Sequence, residues 1–293
     1  MQHIISVKTY VPDRREYVLL DTGNKLKLEE VGTYRIIRSE PRAWWKPRLP
    51  KSVWDKAIAV YDKEDKKEWV FKKEIPKEFT LPFDGLMIKL QFLKSSKHIG
   101  IFPEQTDQWN FIRDCIRRQK EQEVRVLNLF GYTGIASLVA AQAGAQVTHV
   151  DGSKTTIAWA RENQALSGLP KAPIRFILDD ATDFVRREIK RGNRYDGIIM
   201  DPPSFGRGPK GQVWKAEEDL PQFLSACRGA LSEKPLFFIL NMYSTELSAL
   251  SLGNLLMEAT EDLDGSIETG ELAIQEQNSD RVLPLSIFAR WSM

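Results

Sequence analysis

Two segments of this 293-residue sequence hold residues whose types and spacing suit chemistry on a small bound molecule. The first is Val126-Leu127-Asn128-Leu129-Phe130-Gly131-Tyr132-Thr133-Gly134, a hydrophobic run that feeds a two-glycine bend. Glycine belongs where backbone must turn sharply and approach a ligand closely. Asp151 follows 20 residues after Gly131, at the end of the next apolar run. A carboxylate there can accept hydrogen bonds from ribose hydroxyls, so these residues outline a nucleoside site. The competing reading is a glycine turn that merely joins a strand to a helix.

Dinucleotides need G-x-G-x-x-G, so that helix N-terminal amides can hold a pyrophosphate. Here the loop is F-G-Y-T-G, with bulky Tyr132 between the glycines. A nucleoside without phosphate, such as S-adenosylmethionine, requires no third glycine, and it is the cofactor expected. Asp179 and Asp180 precede a helix. One of them could accept the adenine amine while the other caps the helix, a role aspartate fills readily.

The second segment is Tyr195-Asp196-Gly197-Ile198-Ile199-Met200-Asp201-Pro202-Pro203-Ser204-Phe205. Two successive prolines extend neither a strand nor a helix interior, so they fix a stiff turn at the strand end. They also lack amide hydrogens, which leaves their carbonyls and the Asp201 carboxylate as acceptors facing a crevice. Such a turn suits orienting a nitrogen nucleophile towards a methyl group, and Asp201, Pro202 and Pro203 are the expected catalytic residues. Methyl transfer from a sulfonium needs mostly proximity and alignment. Gly206-Arg207-Gly208-Pro209-Lys210-Gly211 then reads as a mobile loop over the site. Arg207 and Lys210 either meet substrate phosphate or are simply solvated.

The elements that position these groups follow from periodicity. From Trp109 onwards apolar strands alternate with amphipathic helices, the signature of a parallel α/β sheet. Strands are expected at 124–129, 147–150, 174–178, 197–200 and 236–240, and helices at 107–119, 135–143, 155–167, 182–191, 219–231 and 245–259. Two final runs, Leu272 to Glu276 and Leu285 to Trp291, are joined by Gln277-Asn278-Ser279-Asp280. That connection is too short for a helical crossover, so the runs pair as an antiparallel hairpin. An antiparallel strand closing a parallel sheet separates the class I methyltransferase layout from a dinucleotide-binding Rossmann domain. The expected fold is therefore α/β: a Rossmann-like methyltransferase sheet of seven strands, the last antiparallel, over residues 96–293. Residues 1–95 read as a small β-rich N-terminal domain, with strands at 17–20, 34–37, 57–61, 69–71 and 87–92 and a charged hairpin tip at 63–68.

The segments NLFGYTG, VDGS, WAREN (Trp159 to Asn163), DDATDF and DPPSF together resemble the bacterial class I methyltransferases that modify 23S rRNA, including the cytosine-C5 and guanine-N7 enzymes. The resemblance runs from about residue 85 to the C-terminus. It implies that Phe130, Gly131, Thr133 and Gly134 cradle the methionine end of S-adenosylmethionine, Asp151 with Gly152 and Ser153 the ribose, and Asp180 with Ala181 the adenine. The resemblance also implies that Asp201 lies nearest the transfer site. Gly100 to Gln105 is similar to a G-F-x-x-D-Q motif of that group, which makes Phe102, Pro103 and Gln105 implied cofactor contacts, with Glu104 in place of the usual Asp. The basic RNA-binding domain common on the cytosine-C5 enzymes is not recognisable in residues 1–85. Cytosine-C5 chemistry needs a thiolate that adds to the base, and that group carries a cysteine after strand five. Here Asn241-Met242-Tyr243-Ser244 stands there, and Cys115 and Cys227 lie elsewhere. D-P-P-x-F is shared with the guanine-N7 enzymes, so a purine or other base nitrogen is the preferred target.

Composition limits the alternatives. With 42% hydrophobic and 28% charged residues the chain is an ordinary globular protein. No run approaches the roughly 18 to 20 apolar residues of a membrane span, and the first ten residues lack an apolar signal core, so a cytoplasmic location is expected. Two cysteines and three scattered histidines give neither a disulfide framework nor a metal centre. Net charge is only +2, but residues 35–97 hold 16 Lys/Arg against 9 Asp/Glu. There Trp44, Trp45, Trp54 and Trp69 are interleaved with Arg42, Lys46, Arg48 and Lys51, a mixture that can stack bases and hold phosphates or can equally be a core with solvated lysines. Structured, ribosomal RNA is the expected partner, with no membrane. The oligomeric state is not legible. A protein or small-molecule acceptor, or a catalytically silent adenosyl-binding assembly factor, are the alternatives.

Overall fold

The computed structural model describes residues 2–11, 16–62, 68–94, 96–119, 123–243 and 246–293. In chain order the elements are β1 (Gln2–Tyr10), β2 (Tyr17–Gly23), β3 (Leu26–Val31), β4 (Tyr34–Ser39), α1 (Lys51–Trp54), β5 (Ala59–Asp62), β6 (Glu68–Phe71), β7 (Glu78–Phe83) and β8 (Leu86–Gln91). There follow α2 (Thr106–Arg117), β9 (Arg125–Leu129), α3 (Ile135–Gln142), β10 (Gln146–Asp151), α4 (Lys154–Leu166), β11 (Ile174–Leu178), α5 (Ala181–Lys190) and β12 (Gly197–Met200). The last are β13 (Phe205–Arg207), β14 (Val213–Lys215), α6 (Ala216–Ala230), β15 (Phe237–Met242), α7 (Ala249–Ala259), β16 (Ser266–Gln275) and β17 (Val282–Ser292). Residues 63–67 of the expected charged hairpin tip, together with Ser244 and Thr245, lie outside the described residues.

The chain divides into two compact units, one of residues 1–8, 107–272 and 286–293, the other of 9–106 and 273–285. The division differs from a single cut at 95/96 because both ends of the chain join the larger unit, while the turn of the final hairpin groups with the smaller.

The larger unit is built on an eight-stranded sheet in the order β1-β16-β17-β15-β12-β9-β10-β11. Strands β9 to β12 and β15 are parallel neighbours, and β17 runs antiparallel to β15. These are the expected seven strands with one more at the edge. β1 was not legible because its apolar residues are not buried: Ile4, Ile5 and Val7 stay 41%, 67% and 62% exposed. Continuous apolar runs such as Gly197–Met200 and Phe237–Leu240 are buried throughout, as strands covered on both faces must be. Helices α5, α6 and α7 cover one face through Phe184, Val185, Leu220, Phe223, Leu224, Leu252 and Leu256. On α4, Ile157 and Ala160 pack with Phe176 of β11 in a separate cluster. Each of the larger of these side chains, Val, Leu, Ile or Phe, contributes roughly 1.5–3 kcal/mol on burial. Chain direction through the sheet reverses between β9 and β12, a topological switch point, which is where open α/β sheets bind ligands.

The smaller unit contains the five-stranded sheet β2-β3-β4-β5-β6 and the pair β7-β8. Strand β3, Leu26-Lys27-Leu28-Glu29-Glu30-Val31, escaped the sequence reading because its charges are buried and paired rather than solvated. Glu29 accepts Arg38 Nε and Nη2, each at 2.6 Å, and the Tyr17 hydroxyl at 2.6 Å. Burial works to raise the Glu29 pKa, but the cations of Arg38 and Lys27 and these hydrogen bonds hold it at about 2. Strand β7 was hidden by Pro82, which sits within it.

Candidate active site

Register brings the candidate residues to one edge of the sheet. Leu129 pairs with Val150 on one side and Met200 on the other, Asp151 pairs with Leu178, and Met200 with Leu240. The residues that follow, Phe130, Asp179, Asp201 and Asn241, therefore line up with Asp151 along the carboxyl ends of five adjacent strands, and Phe130 and Asp201 flank the switch point.

The glycine turn is held from three directions. Phe130 and Tyr132 adopt φ of 55° and 49°, and Gly134, which starts α3, lies at φ 85°. The Gly131 amide donates to Val150 O at 3.0 Å. A β-carbon at Gly131 would run into the imidazole of His149, and one at Gly134 would lie 2.8 Å from Ala160 Cβ. Close packing on β10 and α4 thus requires both glycines. The Thr133 carbonyl accepts from Asn163 Nδ2 at 2.9 Å, and Tyr132 packs against the Trp159 ring. Trp159 and Asn163 of the WAREN segment therefore support the bend, a role for which spacing gave no signal.

Asp151 is anchored rather than loose. Its Oδ2 accepts the Tyr132 amide at 2.9 Å, and its Oδ1 accepts the Ser153 amide at 2.8 Å and the Thr156 hydroxyl at 2.6 Å. A carboxylate has about four acceptor sites, so this one can take a further hydroxyl donor. Burial raises the Asp151 pKa despite these hydrogen bonds. Ser153 caps α4 through its hydroxyl and Gly152 completes the turn between them.

Asp180, expected at the adenine, is also the residue that caps α5, where its Oδ1 accepts the Asp183 amide at 2.9 Å. Asp179 is instead paired with Arg187. Ala181 is the buried first residue of α5. The second Asp180 oxygen faces Gly208, where a β-carbon would stand 3.0 Å away.

Residues 206–211, expected as a mobile loop over the site, form one side and the tip of a hairpin. Phe205–Arg207 and Val213–Lys215 pair as an antiparallel hairpin. Gln212 ties its tip down by donating Nε2 to Asp183 at 2.9 Å and accepting the Lys210 amide at 3.0 Å. A β-carbon at Gly152 would approach Arg207 O, Gly208 Cα and Pro209 Cδ within 3.6–3.7 Å. The tip thus lies against Gly152 and Asp180, beside the candidate ribose and adenine positions.

The proline pair is also more committed than its composition implies. Pro203 O accepts the Trp214 indole N–H at 2.7 Å, and Ser204 O accepts the Ala216 amide at 3.0 Å. The Pro203 carbonyl, expected as an acceptor facing the crevice, therefore already has one of its two lone pairs engaged. Trp214 is buried against Phe130 and Phe223, with ring centres 5.2 and 5.3 Å away, and so links the proline turn to the glycine turn. It was missed because nothing in its sequence context marks it. At the neighbouring strand tip Asn241 accepts from Gln108 Nε2 at 2.9 Å, and Gln108 Oε1 accepts from Arg290 at 2.9 Å.

Cys227 is buried in α6 and Cys115 lies on α2; burial pushes the Cys115 thiol up to about 11 and Cys227 further still. Neither supplies a thiolate at neutral pH. Among the described residues no three His, Cys, Asp or Glu side chains group as a metal site. Phe102, Pro103 and Gln105 belong to the smaller unit. There Phe102 packs on the His98 ring at 5.2 Å, and Pro103–Gln105 form a buried 3-10 turn whose Pro103 carbonyl accepts the Thr106 hydroxyl at 2.6 Å.

A sheet with this order, an antiparallel seventh strand, a glycine turn after β9 and a carboxylate at the end of β10 defines a class I methyltransferase. The S-adenosylmethionine-dependent methyltransferase family model matches residues 60–219, and the chain belongs to that family. A crystal structure of an S-adenosylmethionine-dependent methyltransferase from Agrobacterium tumefaciens is 42% identical, with a TM-score of 0.94 over 99% of this chain and 95% of the other. A Streptococcus mutans methyltransferase shares the fold at 18% identity, with a TM-score of 0.72 over 95% and 76% of the two chains. Among curated relatives, ribosomal RNA large subunit methyltransferase I of Aeromonas salmonicida is 32% identical over 59% of this chain and 40% of its own length. Ribosomal RNA large subunit methyltransferase K/L of Shewanella baltica is 45% identical over 31% of this chain and 13% of its own. The alignments thus span less than half the length of these relatives.

Proposed function

We propose that the protein transfers a methyl group from S-adenosylmethionine to a base nitrogen of structured RNA, ribosomal RNA being the favoured class. The observation that carries this reading is the register that aligns Phe130, Asp151 and Asp201 at the switch point. The residues present fit the cofactor. The Asp151 carboxylate retains acceptor capacity for a ribose hydroxyl, and Asp180 and Ala181 stand at the adenine end beside Gly208. Phe130 to Gly134 bring backbone, with little side-chain bulk at the glycines, to the methionine end. Bound there, the cofactor supplies an electrophilic methyl on a sulfonium, a good leaving group.

The chain's own part is alignment. Asp201 accepts a hydrogen bond from an amino or ring N–H of the acceptor base and so orients the attacking nitrogen's lone pair, while Pro202 and Pro203 fix the carboxylate's position. The turn keeps that geometry because Trp214 holds Pro203. Lack of a thiolate disfavours pyrimidine C5, and the names of the curated relatives support an rRNA acceptor.

The test is to incubate the purified protein and radiolabelled cofactor with RNA, protein and metabolite fractions from a strain lacking the gene. Label in RNA, at a base nitrogen, is expected. Label in the protein or metabolite fraction would replace the acceptor, and no label in any fraction would favour a silent adenosyl-binding protein.

A further inference from the structure

The four tryptophans of the basic N-terminal segment have different fates. Trp54 is buried and donates to Asp21 at 2.9 Å, Trp69 is buried and donates to Ser96 O at 2.9 Å, and Trp45 donates to Thr22 at 2.8 Å. Trp44 is 81% exposed, and among the described residues its indole has neither a hydrogen-bond partner nor a ring or cation against it.

Exposure of so large an apolar ring would mean little on a frayed segment, but this backbone is fixed on both sides of the ring. The Asn24 and Lys25 amides donate to Trp45 O and Ala43 O at 2.8 and 2.7 Å. The Arg48 and Leu49 amides donate to the buried Asp21 carboxylate at 3.1 and 2.8 Å, and Arg281 donates to Lys46 O at 3.3 Å. The loop thus presents the indole at no further ordering cost to the backbone, the condition under which an exposed aromatic binds best.

Its surroundings are cationic. Lys46 and Arg48 are exposed and Arg42 half-buried. The Lys46 ammonium has no ion pair among the described residues, and Arg42 and Arg48 reach Glu40 and Glu276 only at 3.5 Å. Both of those carboxylates are buried, so the charge displayed outwards is positive. A flat π-face ringed by cations is complementary to an unpaired base and its phosphates.

We propose that the Glu40–Pro50 loop is a docking site for an unpaired nucleotide of RNA, with Trp44 stacked on the base and Lys46 at a phosphate. The inference rests on the RNA reading above and adds a surface that holds the acceptor RNA. Single-strand recognition of this kind tolerates any base, because every base has a π-face.

Anisotropy of a short fluorescein-labelled single-stranded RNA against the full chain tests it at several salt concentrations, with S-adenosylhomocysteine calorimetry on each variant. Trp44→Ala is expected to weaken RNA binding at least about fivefold, the lower end for loss of one stacked base, while Trp44→Phe stays within about threefold of wild type. Lys46→Gln should reduce the salt slope by about 0.7. S-adenosylhomocysteine affinity should be unchanged in all three. Wild-type RNA binding with Trp44→Ala within twofold of it overturns the docking site and leaves the RNA reading intact. A protein that binds S-adenosylhomocysteine but no RNA overturns both. Ultraviolet cross-linking in extract adds a further outcome: a Trp44-dependent adduct destroyed by protease but not by ribonuclease would assign the ring to a protein partner and overturn the proposal.

Discussion

The indole N–H of Trp214 donates to the carbonyl oxygen of Pro203 at 2.7 Å, and this bond fixes the turn that follows Asp201. Trp214→Phe keeps an aromatic ring against Phe130 and Phe223 but removes the donor. Loss of one hydrogen bond corresponds to about 1 kcal/mol, so kcat should fall about fivefold to tenfold with cofactor affinity within twofold. Steady-state kinetics with parallel calorimetry checks this. A change in cofactor affinity alone would place Trp214 in binding rather than in acceptor alignment.

Asp201→Ala should reduce methyl transfer by at least about 100-fold while S-adenosylmethionine affinity stays within a few fold. Comparable losses of both would mean that Asp201 acts on the cofactor. Cys115→Ser, by contrast, should leave transfer within twofold, since a thiol pushed up to about 11 is not the nucleophile.

Gly131→Ala forces a β-carbon into the His149 ring. The ring cannot move freely, because Ser137 Oγ lies 3.0 Å from its Nδ1 and in turn accepts Asn128 Nδ2 at 2.8 Å. Overpacking of this kind costs about 1–3 kcal/mol. His149→Ala vacates the space, so in urea unfolding the double variant should lose at least about 1 kcal/mol less than the sum of the single changes. Strict additivity would contradict the packing account.

Acid stability follows from two carboxylates. Glu268 accepts Ser6 and Lys8 at 2.7 Å and Arg290 at 2.6 Å. Burial works to raise its pKa, but these partners hold it at about 2, as Arg38 and Lys27 do for Glu29. A carboxylate whose pKa is depressed on folding contributes stability that is fully present above its unfolded value, near 4.5, and is lost as the pH falls towards about 2. The urea midpoint should therefore drop through that window. Glu268→Gln should show a lower midpoint at neutral pH and a shallower acid limb. An acid limb identical to wild type would remove Glu268 from the explanation.

How legible was this in the sequence? The central strands were, because parallel strands covered on both faces must be nearly continuous apolar runs, and Gly197–Met200 and, but for Asn128, Val126–Leu129 are such runs. The glycine and proline turns were equally plain, since few other residues fit those backbones. What failed to show were features that depend on distant partners. Lys27 and Glu29 look like surface charges until Tyr17 and Arg38 are placed beside them, which hid β3. Trp214 and Asn163 are ordinary residues of a hairpin and a helix until the chain returns them to Pro203 and Thr133. The hairpin at 205–215 was concealed by its glycines, which read as a loop although its two ends pair and Gln212 is tied to Asp183.

The central claim is that the strand-tip pocket anchored by Asp151 holds S-adenosylmethionine. Isothermal calorimetry of wild type and Asp151→Ala with S-adenosylhomocysteine and, separately, with a nicotinamide dinucleotide tests it directly. The account predicts one-to-one binding of S-adenosylhomocysteine, weakened at least about tenfold in the variant, and no heat from the dinucleotide. Binding of the dinucleotide instead, or S-adenosylhomocysteine affinity indifferent to Asp151, would contradict it.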